Sequence, residues 1–430
     1  MNELAKELND TLSSCAVSAF LSEKGRNLYF PKGIVAQSQE AGEKAKQYNA
    51  TVGLAKSKGV PMHLSDIQSY FREGTLTPAE IFSYAPGGGD KELRAIWKKE
   101  MIRKNPSLEG KLFSEPLVTG GLTHTISMIA TMFFDKGDEL ILPDLYWDNY
   151  SLIFEEACGA AIETFNTFRD GAFDADALQA ALLGPGEKKI LILNFPNNPT
   201  GYTATLEDAP KIVAAVKAAA EAGKRIVVIL DDAYFGLVYE KGVHGESLFA
   251  AFATLDPNVL AVKLDGCTKE DYVWGLRVGF ISFAFKGATP EQLKALEAKA
   301  AGNVRSCVSN ITSIGQHVAL AALSDKDYAK QKREKYNVLK KRYTTIRTLL
   351  RKHPAWAETF EVMPFNSGYF MCVKPVGVDA ERVRRQLIEK YSTGTIVLSG
   401  LIRLAFSTVP VVKLPTLFAN VDAAIRDLRA

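Results

Sequence analysis

The residues best suited to chemistry lie in the stretch from Asp265 to Lys269, which Arg277 follows eight residues later. Apolar runs at 259–262 and 278–281 flank this stretch and predict two buried strands, so we expect Lys269 in the turn between them. A lysine held in this way can form a Schiff base with a carbonyl group. A lone loop lysine is more often a solvated charge, so the chemical interpretation depends on the rest of the chain.

The segment from Val118 to Thr123 has the character of an anion site. It follows a short apolar run, precedes a helical pattern and contains the pair Gly120-Gly121. Backbone N–H groups at the start of a helix, together with the Thr123 hydroxyl, suit a phosphate. The segment matches neither the P-loop nor the spaced-glycine dinucleotide fingerprint, and a plain glycine turn is the alternative.

Aromatic and amide side chains follow two further apolar runs. Tyr146 and Trp147 come shortly after the run that ends at Leu142, and a flat ring there can stack on a heteroaromatic cofactor, although aromatic residues are usually core. We favour Trp147 over Tyr146 for this contact. The loop at 194–201 contains Asn198 and two prolines, which hold its amides in a rigid setting.

Paired acids, Asp231 and Asp232, end a strongly apolar run at 226–230, and Tyr234 follows them. A carboxylate next to such a run is costly unless it is paired, so we expect one of the two acids to meet a cation. A helix cap by Asp232 is the alternative.

The secondary structure between about 115 and 285 must position these residues. Short apolar runs alternate there with helical stretches such as 206–222, which is the pattern of a mainly parallel sheet covered by helices. Ligands bind at the carboxyl ends of the strands in such sheets, where the candidate residues fall. The runs that predict strands are 117–118, 139–142, 190–193, 226–230, 259–262 and 278–281.

The chain after residue 288 predicts a second, smaller α/β unit, to which the N-terminal segment is expected to contribute. Helical patterns and short apolar runs follow one another there, whereas the helix that Asp90 is placed to cap lies within the predicted large domain. The predicted helices are 2–20, 33–47, 90–103, 325–351 and one from about 417, and the predicted strands are 369–373 and 402–406. The predicted organisation is an N-terminal segment, 1–65, that contributes to the small domain, a large domain, 66–320, and a small C-terminal domain, 321–430.

Composition excludes several classes of protein. The chain has 430 residues, 47% hydrophobic and 23% charged, so it can bury a large core in more than one domain. Its 52 basic and 49 acidic residues leave a net charge of +3, which argues against a nucleic-acid partner. Five scattered cysteines predict neither a disulfide framework nor a metal site. No apolar run reaches the length of a membrane span and the N-terminus lacks a signal-peptide core, so we expect a cytoplasmic protein with no membrane partner.

Taken together, these residues resemble the fold-type-I pyridoxal-phosphate enzymes and, within them, the class I and II aminotransferases of the aspartate and aromatic type. The resemblance implies an α/β fold with a mainly parallel, seven-stranded sheet flanked by helices, plus a smaller α/β domain. It covers most of the chain, from about Tyr48 to Phe406. The residues that carry it are, in order, Tyr84-Ala85-Pro86, Gly121-Leu122-Thr123, Trp147, Asn198-Pro199-Thr200-Gly201, Asp231 with Tyr234, Lys269 with Arg277, and Arg403-Leu404-Ala405-Phe406.

The resemblance implies a role for each matching residue. Lys269 would hold pyridoxal 5'-phosphate as an aldimine and move a proton between substrate and cofactor. Asp231 would face the pyridine nitrogen, while Asn198 and Tyr234 would bond the phenolic oxygen of the ring. Arg403 would clamp the carboxylate of the substrate, a bidentate task that lysine cannot copy. The residues implied to hold the phosphate are Gly121, Leu122, Thr123, Thr268, Arg277 and, from a neighbouring subunit, Tyr84.

Two further matches point to the aspartate aminotransferase branch. The segment at 49–53 resembles one that touches the substrate near Gly53. Arg305 resembles the arginine of that branch that binds a distal carboxylate, reaching across from the other subunit. An ordinary surface salt bridge is the alternative for Arg305.

Two departures count against a close match. Gly266 stands where relatives usually place a phosphate-binding serine, which leaves Thr268 as the nearest hydroxyl. Ile311-Thr312 replace the prolines expected after Ser309-Asn310, which weakens the assignment to dicarboxylic substrates.

The predicted activity is transfer of an amino group between an L-amino acid, preferably dicarboxylic or aromatic, and a 2-oxo acid. A β-elimination or C–S lyase reaction on the same scaffold is one alternative, because the cofactor supports several reactions. A non-catalytic regulator domain is another, although the chain has no basic N-terminal module for DNA. Because Tyr84 and Arg305 would act across an interface, a homodimer with shared active sites is expected.

Overall fold

The computed structural model describes residues 1–30 and 33–430. Its centre is a seven-stranded sheet whose inner strands are mainly apolar on both faces, as expected when helices cover both sides. The strands are β1 (Leu117–Thr119), β2 (Glu139–Pro143), β3 (Ala161–Phe165), β4 (Lys188–Asn194), β5 (Arg225–Asp231), β6 (Val259–Gly266) and β7 (Gly279–Phe285). Their order is β1-β7-β6-β5-β4-β2-β3, and only β7 runs antiparallel to its neighbours. The expected α/β fold with a mainly parallel sheet is therefore confirmed.

Strand β3 was not among the runs that predicted strands. It lies at the edge of the sheet and pairs only with β2, and its first four residues are half-buried or exposed. An edge strand of this kind contains polar residues such as Glu163 and Thr164, so it has no continuous apolar run to mark it.

The turn expected around Lys269 is instead a short helix, Cys267–Glu270, that follows β6 directly. Strand β6 also continues four residues beyond the apolar run that predicted it. Lys263 and Asp265 belong to the strand and are fully buried, so charged residues hid the carboxyl half of β6 from a prediction based on apolar runs.

Helices cover the sheet on both faces. Asp90 caps one of them as expected, accepting a bond at 2.8 Å from the backbone N–H of Leu93. The main helices around the sheet are Lys91–Lys104, Leu122–Phe133, Ala175–Leu183, Asp208–Glu221, Pro290–Cys307 and Ser313–Ser324. Shorter helical turns lie at Ser65–Ser69, Pro78–Phe82, Pro106–Leu108, Asn149–Ser151, Leu152–Glu156 and Phe249–Phe252.

A second, antiparallel sheet lies beyond the long charged helix Tyr328–Lys352. Its strands are β8 (Phe360–Val362), β9 (Met371–Pro375), β10 (Ile396–Leu398) and β11 (Leu401–Leu404), in the order β8-β9-β11-β10. The accompanying helices are Pro354–Glu358, Ala380–Tyr391, Phe406–Thr408, Val411–Lys413 and Leu414–Arg429.

The N-terminal part of the chain contacts this second sheet. Gln37, in the helix Gly33–Lys44, exchanges two hydrogen bonds with the backbone of Val397, and Tyr48–Asn49 pairs with Thr393–Gly394. The stretch expected to be helical at 2–20 contains two helices, Glu3–Leu12 and Val17–Phe20, and Glu23–Asn27 follows. The predicted division into domains, including the contribution of the N-terminal segment to a small domain, stays a prediction.

None of the helices in the described residues combines the length and the apolar character needed to cross a membrane.

Candidate active site

A pocket of about 260 Å³ opens at the carboxyl ends of β4, β5 and β6. Residues far apart in the sequence meet there because parallel strands end at the same edge of the sheet. Most of the predicted site residues line it: Gly53, Leu122, Thr123, Trp147, Asn198, Asp231, Tyr234, Thr268, Lys269, Arg277 and Arg403. The charged side chains of the lining are three cations and one carboxylate, an arrangement that suits an anionic ligand.

The Lys269 amine points into the pocket from the short helix that follows β6. It donates a hydrogen bond at 3.2 Å to the carbonyl of Gly53 and lies 5.1 Å from the centre of the Tyr234 ring. Burial, together with the positive charges of Arg277 and Arg403, lowers the pKa of Lys269 to about 8. A neutral amine, which is the form that attacks carbonyl carbons and accepts protons, is therefore available near neutral pH.

The helix that carries Lys269 is held by contacts on its other side. The Tyr369 hydroxyl donates to the Lys269 carbonyl at 2.8 Å. Glu270 pairs with Lys104 at 2.9 Å and with Lys332 at 2.6 Å, and all three side chains are largely buried. These pairs connect the helix to two long helices, so the position of the Lys269 backbone is closely defined.

Asp231 is the carboxylate of the pocket and lies at the end of β5. It accepts hydrogen bonds from the Tyr150 hydroxyl at 2.6 Å and from the backbone N–H of Ala233 at 3.1 Å. Burial raises the pKa of Asp231 to about 6, although the bond from Tyr150 works in the opposite direction. On the adjacent strand, the Asn194 side chain donates to the Asp231 carbonyl at 2.8 Å, which holds the strand end in place.

The predicted phosphate residues converge at the start of the helix Leu122–Phe133. Gly121 precedes this helix with φ of 86°, and a Cβ atom there would lie 2.6 Å from Nη2 of Arg277. Arg277 itself has a positive φ of 54°, a backbone conformation that is uncommon for non-glycine residues. The buried Thr268 hydroxyl lines the same pocket and has no hydrogen-bond partner among the described residues.

These features fit a phosphate-bearing cofactor. A helix N-terminus, a guanidinium and an unpartnered hydroxyl each favour a phosphate oxygen. Leu122 and Thr123 belong to the lining, whereas Gly121 adjoins it through Arg277.

There is a steric reason for a glycine at 266, where the resemblance led us to expect a serine. A Cβ atom on Gly266 would lie 2.7 Å from the carbonyl oxygen of Val278 and 2.8 Å from the Cα of Gly279. A serine therefore does not fit unless β6 and β7 separate. Thr268 is the hydroxyl that remains for a phosphate in this stretch.

Arg403 presents a buried guanidinium from β11. Its Nη1 donates to Oδ1 of Asn198 at 3.0 Å and its Nη2 to the carbonyl of Thr51 at 2.9 Å. The guanidinium lies 4.3 Å from the centre of the Phe370 ring, and Nε has no partner among the described residues. Only 3% of Arg403 is exposed, and within residues 1–30 and 33–430 no carboxylate pairs with it. A buried cation with neutral partners favours an anionic ligand.

The aromatic residues after β2 divide between two places. Trp147 lines the pocket and meets Tyr150 edge-on, with ring centres 5.6 Å apart. Tyr146 lines a neighbouring cavity instead, and its hydroxyl lies 3.2 Å from that of Ser151. Trp147, the favoured candidate for stacking, is thus the one of the two that reaches the pocket.

Besides Gly121, which adjoins the lining, two predicted site residues lie outside this pocket. Tyr84 is 89% exposed. Arg305 is also exposed, and its Nη1 donates to the Ser309 hydroxyl at 2.6 Å. Neither residue lines the pocket of its own chain.

The sequence did not identify several lining residues. Tyr150 and Asn194 lie in stretches that had been singled out, and their position beside a candidate strand end was the available signal. Phe370 belongs to an apolar run that predicts a buried strand, and Ile34 belongs to the N-terminal segment. Nothing in the local sequence of either residue therefore indicated a place in the pocket. The missed residues are Ile34, Ile126, Tyr150, Asn194, Ala233, Trp274 and Phe370.

The two paired acids differ in their partners. Asp232 meets the buried ammonium of Lys263, as expected for one of the pair, and the alternative helix cap is wrong because no helix begins there. Asp231 instead faces the pocket with hydrogen-bond donors around it.

A lysine and a carboxylate lie at the carboxyl edge of this sheet, and a group of residues suited to binding an anion lies beside them. Together with the fold, they define an α/β enzyme of the aspartate aminotransferase-like type. The family model for class I and II aminotransferases matches residues 69–417, so the chain belongs to that family. The family depends on pyridoxal phosphate, and this protein is accordingly a pyridoxal-phosphate-dependent aminotransferase.

Known proteins agree with this membership. The chain is 28% identical over 345 residues to a probable aspartate/prephenate aminotransferase of Aquifex aeolicus, covering 75% of this chain and 79% of the relative. It is 27% identical over 305 residues to an aspartate aminotransferase of Geobacillus stearothermophilus, covering 68% and 69%. Among solved structures, an aminotransferase from Anaerococcus prevotii superposes with a TM-score of 0.80 at 26% identity, covering 92% of this chain and 96% of the other.

Proposed function

We propose that this aminotransferase exchanges an amino group between an L-amino acid, with dicarboxylic or aromatic side chains preferred, and a 2-oxo acid. The observation that carries the proposal is the meeting of Lys269 and Arg403 in one pocket, where neither has a carboxylate partner among the described residues. One amine is then available for chemistry and one guanidinium for the carboxylate that every amino acid and 2-oxo acid carries.

Pyridoxal 5'-phosphate, when bound, supplies an aldehyde and an electron-withdrawing ring that stabilises negative charge at the substrate Cα. The residues proposed to hold its phosphate are Gly121, Leu122, Thr123, Thr268 and Arg277, joined by Tyr84 of a second subunit. Asp231 is the carboxylate available to a ring nitrogen, and Trp147 is the aromatic side chain available to a ring face. Asn198 and Tyr234 are the proposed partners of the phenolic oxygen.

Lys269 and Arg403 then divide the work on the substrate. The neutral Nζ of Lys269 takes a proton and its ammonium form returns it, which a pKa of about 8 makes feasible in both directions near neutral pH. Arg403 orients the substrate through its carboxylate, and its bonds to Asn198 and Thr51 keep the guanidinium plane in place. Gly53 leaves space beside Lys269, since a Cβ there would come within 3.8 Å of Nζ and 3.3 Å of the Phe370 ring.

The preference for dicarboxylic substrates is supported by the relatives. The Aquifex aeolicus protein is named a probable aspartate/prephenate aminotransferase and the Geobacillus stearothermophilus protein an aspartate aminotransferase. Arg305 is the proposed partner of the distal carboxylate.

A homodimer with shared active sites is part of the proposal. Tyr84 and Arg305 lie on connected segments, because the Asn310 side chain donates to the Ala85 carbonyl at 2.8 Å. The same surface exposes Phe82 at 82% and Val308 at 50%, so apolar residues accompany the two polar ones. A second copy placed there would receive Tyr84 and Arg305 in its own pocket. A cytoplasmic location is proposed as well, since all five cysteines are free thiols.

The test is a half-reaction of the purified, cofactor-loaded protein with amino acids in the absence of a 2-oxo acid. We expect glutamate and aspartate to convert bound pyridoxal phosphate to pyridoxamine phosphate, followed by absorbance, and 2-oxoglutarate to reverse the change. Release of ammonia without any pyridoxamine phosphate would contradict transamination and indicate β-elimination.

Substrate preference is tested with a panel of amino donors against 2-oxoglutarate, repeated with Arg305→Ala. Activity lost only with aspartate and glutamate supports the distal-carboxylate role of Arg305. An unchanged donor profile would refute that role.

A further inference from the structure

A second group of buried charges lies directly behind the pocket, and the proposed chemistry does not use it. Lys263, in β6, contacts both Asp232 and Asp265, with 3.0 Å between Nζ and Oδ2 of Asp265. No more than 5% of any of the three side chains is exposed. The Ser247 hydroxyl donates to Asp232 at 2.6 Å and the Trp97 indole N–H donates to Asp265 at 3.0 Å.

The cluster lies on the opposite face of the sheet from the Asp231 carboxylate. Residues in register on neighbouring strands share a face, and consecutive residues of a strand alternate between faces. Lys263 is in register with Leu230, whereas Asp231 is in register with Leu264. Asp232, which follows Asp231, therefore turns towards Lys263 and away from the pocket.

The position of this cluster in the chain links Asp231 and Lys269, the two main residues of the pocket. Asp232 is the direct neighbour of Asp231 at the end of β5. Asp265 lies one residue before the end of β6, four residues before Lys269. One ammonium thus ties the strand end that carries Asp231 to the strand end that leads into the Lys269 helix.

Stability of the fold does not account for such a cluster. Removing three charges from water costs several kcal/mol for each ion, and well-packed apolar replacements of buried ion pairs are often equally stable or more stable. A directional link between two strand ends, by contrast, needs polar groups that accept only one arrangement. Charge balance adds to this role, because without Lys263 two carboxylates would lie behind Asp231 and disfavour its ionised form.

We propose that Lys263 is a positioning residue that fixes Asp231 and Lys269 relative to each other, and thereby prepares the pocket for pyridoxal phosphate. The proposal rests on the proposed roles of Asp231 and Lys269. The groups that face the Lys263 ammonium are Asp232, Asp265 and the Phe235 ring, whose centre is 5.1 Å away. Lys104 lies over the same ring at 5.5 Å.

The test compares Lys263→Met and Lys263→Arg with a matched control in the same sheet. Lys189, in β4, is also fully buried and lies 3.4 Å from Glu139, but it sits at the other end of its strand from Asn194 and the pocket. Lys189→Met therefore removes an equally buried lysine without changing the carboxyl ends of the strands. The readouts are the Kd for pyridoxal phosphate from protein fluorescence, the pH midpoint of the absorbance of the bound cofactor, and kcat and KM with glutamate.

We expect Lys263→Met to raise the Kd about tenfold and to lower kcat about tenfold with little change in KM, because a displaced pair of reacting groups impairs chemistry more than substrate binding. The pH midpoint should move upward, since a less ionised Asp231 leaves the ring a weaker electron sink. Lys263→Arg should restore part of each value, and Lys189→Met should match the wild type in all three.

Wild-type values of Kd and pH midpoint in a folded Lys263→Met protein would overturn the proposal, and so would equal changes in Lys189→Met. If Lys263→Met does not fold, the neutral variant with Lys263→Met, Asp232→Asn and Asp265→Asn takes its place. Wild-type values of Kd and kcat in that variant would also overturn the proposal, and the tenfold changes expected in both would support it. Its pH midpoint should stay near the wild-type value, because no carboxylate of the cluster then lies behind Asp231. A wild-type protein that binds no pyridoxal phosphate would instead contradict the proposed function itself.

Discussion

At the scale of single residues, Lys263 and Lys269 are both withdrawn from solvent, and their partners decide how each behaves. Burial disfavours the charged form of Lys263, yet Asp232 and Asp265 outweigh it and raise its pKa above the usual range. Lys269 has no such carboxylate partner among the described residues, and burial with two nearby arginines lowers its pKa to about 8. Lys269, the amine proposed to react, is thus the one of the two lysines that has no paired carboxylate among the described residues.

The lowered pKa of Lys269 predicts how the cofactor-free protein reacts with amine reagents. A group whose pKa falls from 10.5 to about 8 is mostly neutral above pH 8, so its acylation rate should level off roughly two pH units earlier than that of an ordinary lysine. Mass spectrometry of the peptide that contains Lys269, after brief labelling between pH 6 and 11, measures this. A midpoint near 10.5 would contradict the assigned environment.

The substitution Arg403→Lys tests the proposed role of Arg403 in binding the substrate carboxylate. Lysine keeps the charge but loses the fork of donors that holds Asn198, Thr51 and a carboxylate together. We expect kcat/KM to fall about 100-fold for every amino acid, which corresponds to the loss of one or two charge-assisted hydrogen bonds. Cofactor affinity should stay within about threefold of the wild type, and a loss confined to one class of amino acid would argue against a role at the shared α-carboxylate.

At the scale of elements, the close approach of β6 and β7 explains the glycine at 266. Gly266→Ser should destabilise the protein by about 1–3 kcal/mol, because its Cβ would meet the Val278 carbonyl at 2.7 Å. Gly245→Ser is a suitable control, since a Cβ there meets nothing within 4 Å. Urea unfolding of both variants gives the comparison. Equal stability of the two would mean that β6 and β7 separate easily, and the serine that the resemblance led us to expect would then fit here too.

The sheet shows which elements a sequence reveals and which it hides. Runs such as 226–230 predicted β5 because both faces of an inner strand are apolar. The carboxyl half of β6 was missed because Lys263 and Asp265 are buried as ion-paired groups, which no apolar pattern indicates. Strand β3 was missed because an edge strand needs only one covered face.

At the scale of the whole molecule, the site depends on parts of the chain that are far apart in sequence. Lys269 and Asp231 could be predicted because each is the chemically distinctive residue after an apolar run, whereas Arg403, which lies within the run 402–406, was identified by the resemblance to the aminotransferases. Ile34 and Phe370 could not be predicted, since they follow from how the N-terminal segment and the second sheet pack against the first. The bond from Tyr150 to Asp231 could not either, since it depends on how the segment after β2 packs against the end of β5.

Shared active sites predict that inactive variants complement each other. In a mixed dimer of Lys269→Ala and Arg305→Ala, one of the two sites would combine an intact Lys269 with an intact Arg305. Refolding the two proteins together should therefore restore about a quarter of the wild-type aspartate activity, if subunits pair at random. Activity no higher than the sum of the separate variants would contradict the shared site, as would a monomer that is active in solution.

The central claim is that Lys269 is the amine that holds pyridoxal phosphate. Borohydride reduction of the cofactor-loaded protein, followed by peptide mapping, tests it most directly, because reduction makes the link between cofactor and lysine permanent. We predict a single pyridoxyl-modified peptide, with the modification on Lys269, and none in Lys269→Ala. Modification of another lysine, such as Lys263, or the same labelling of Lys269→Ala, would contradict the account.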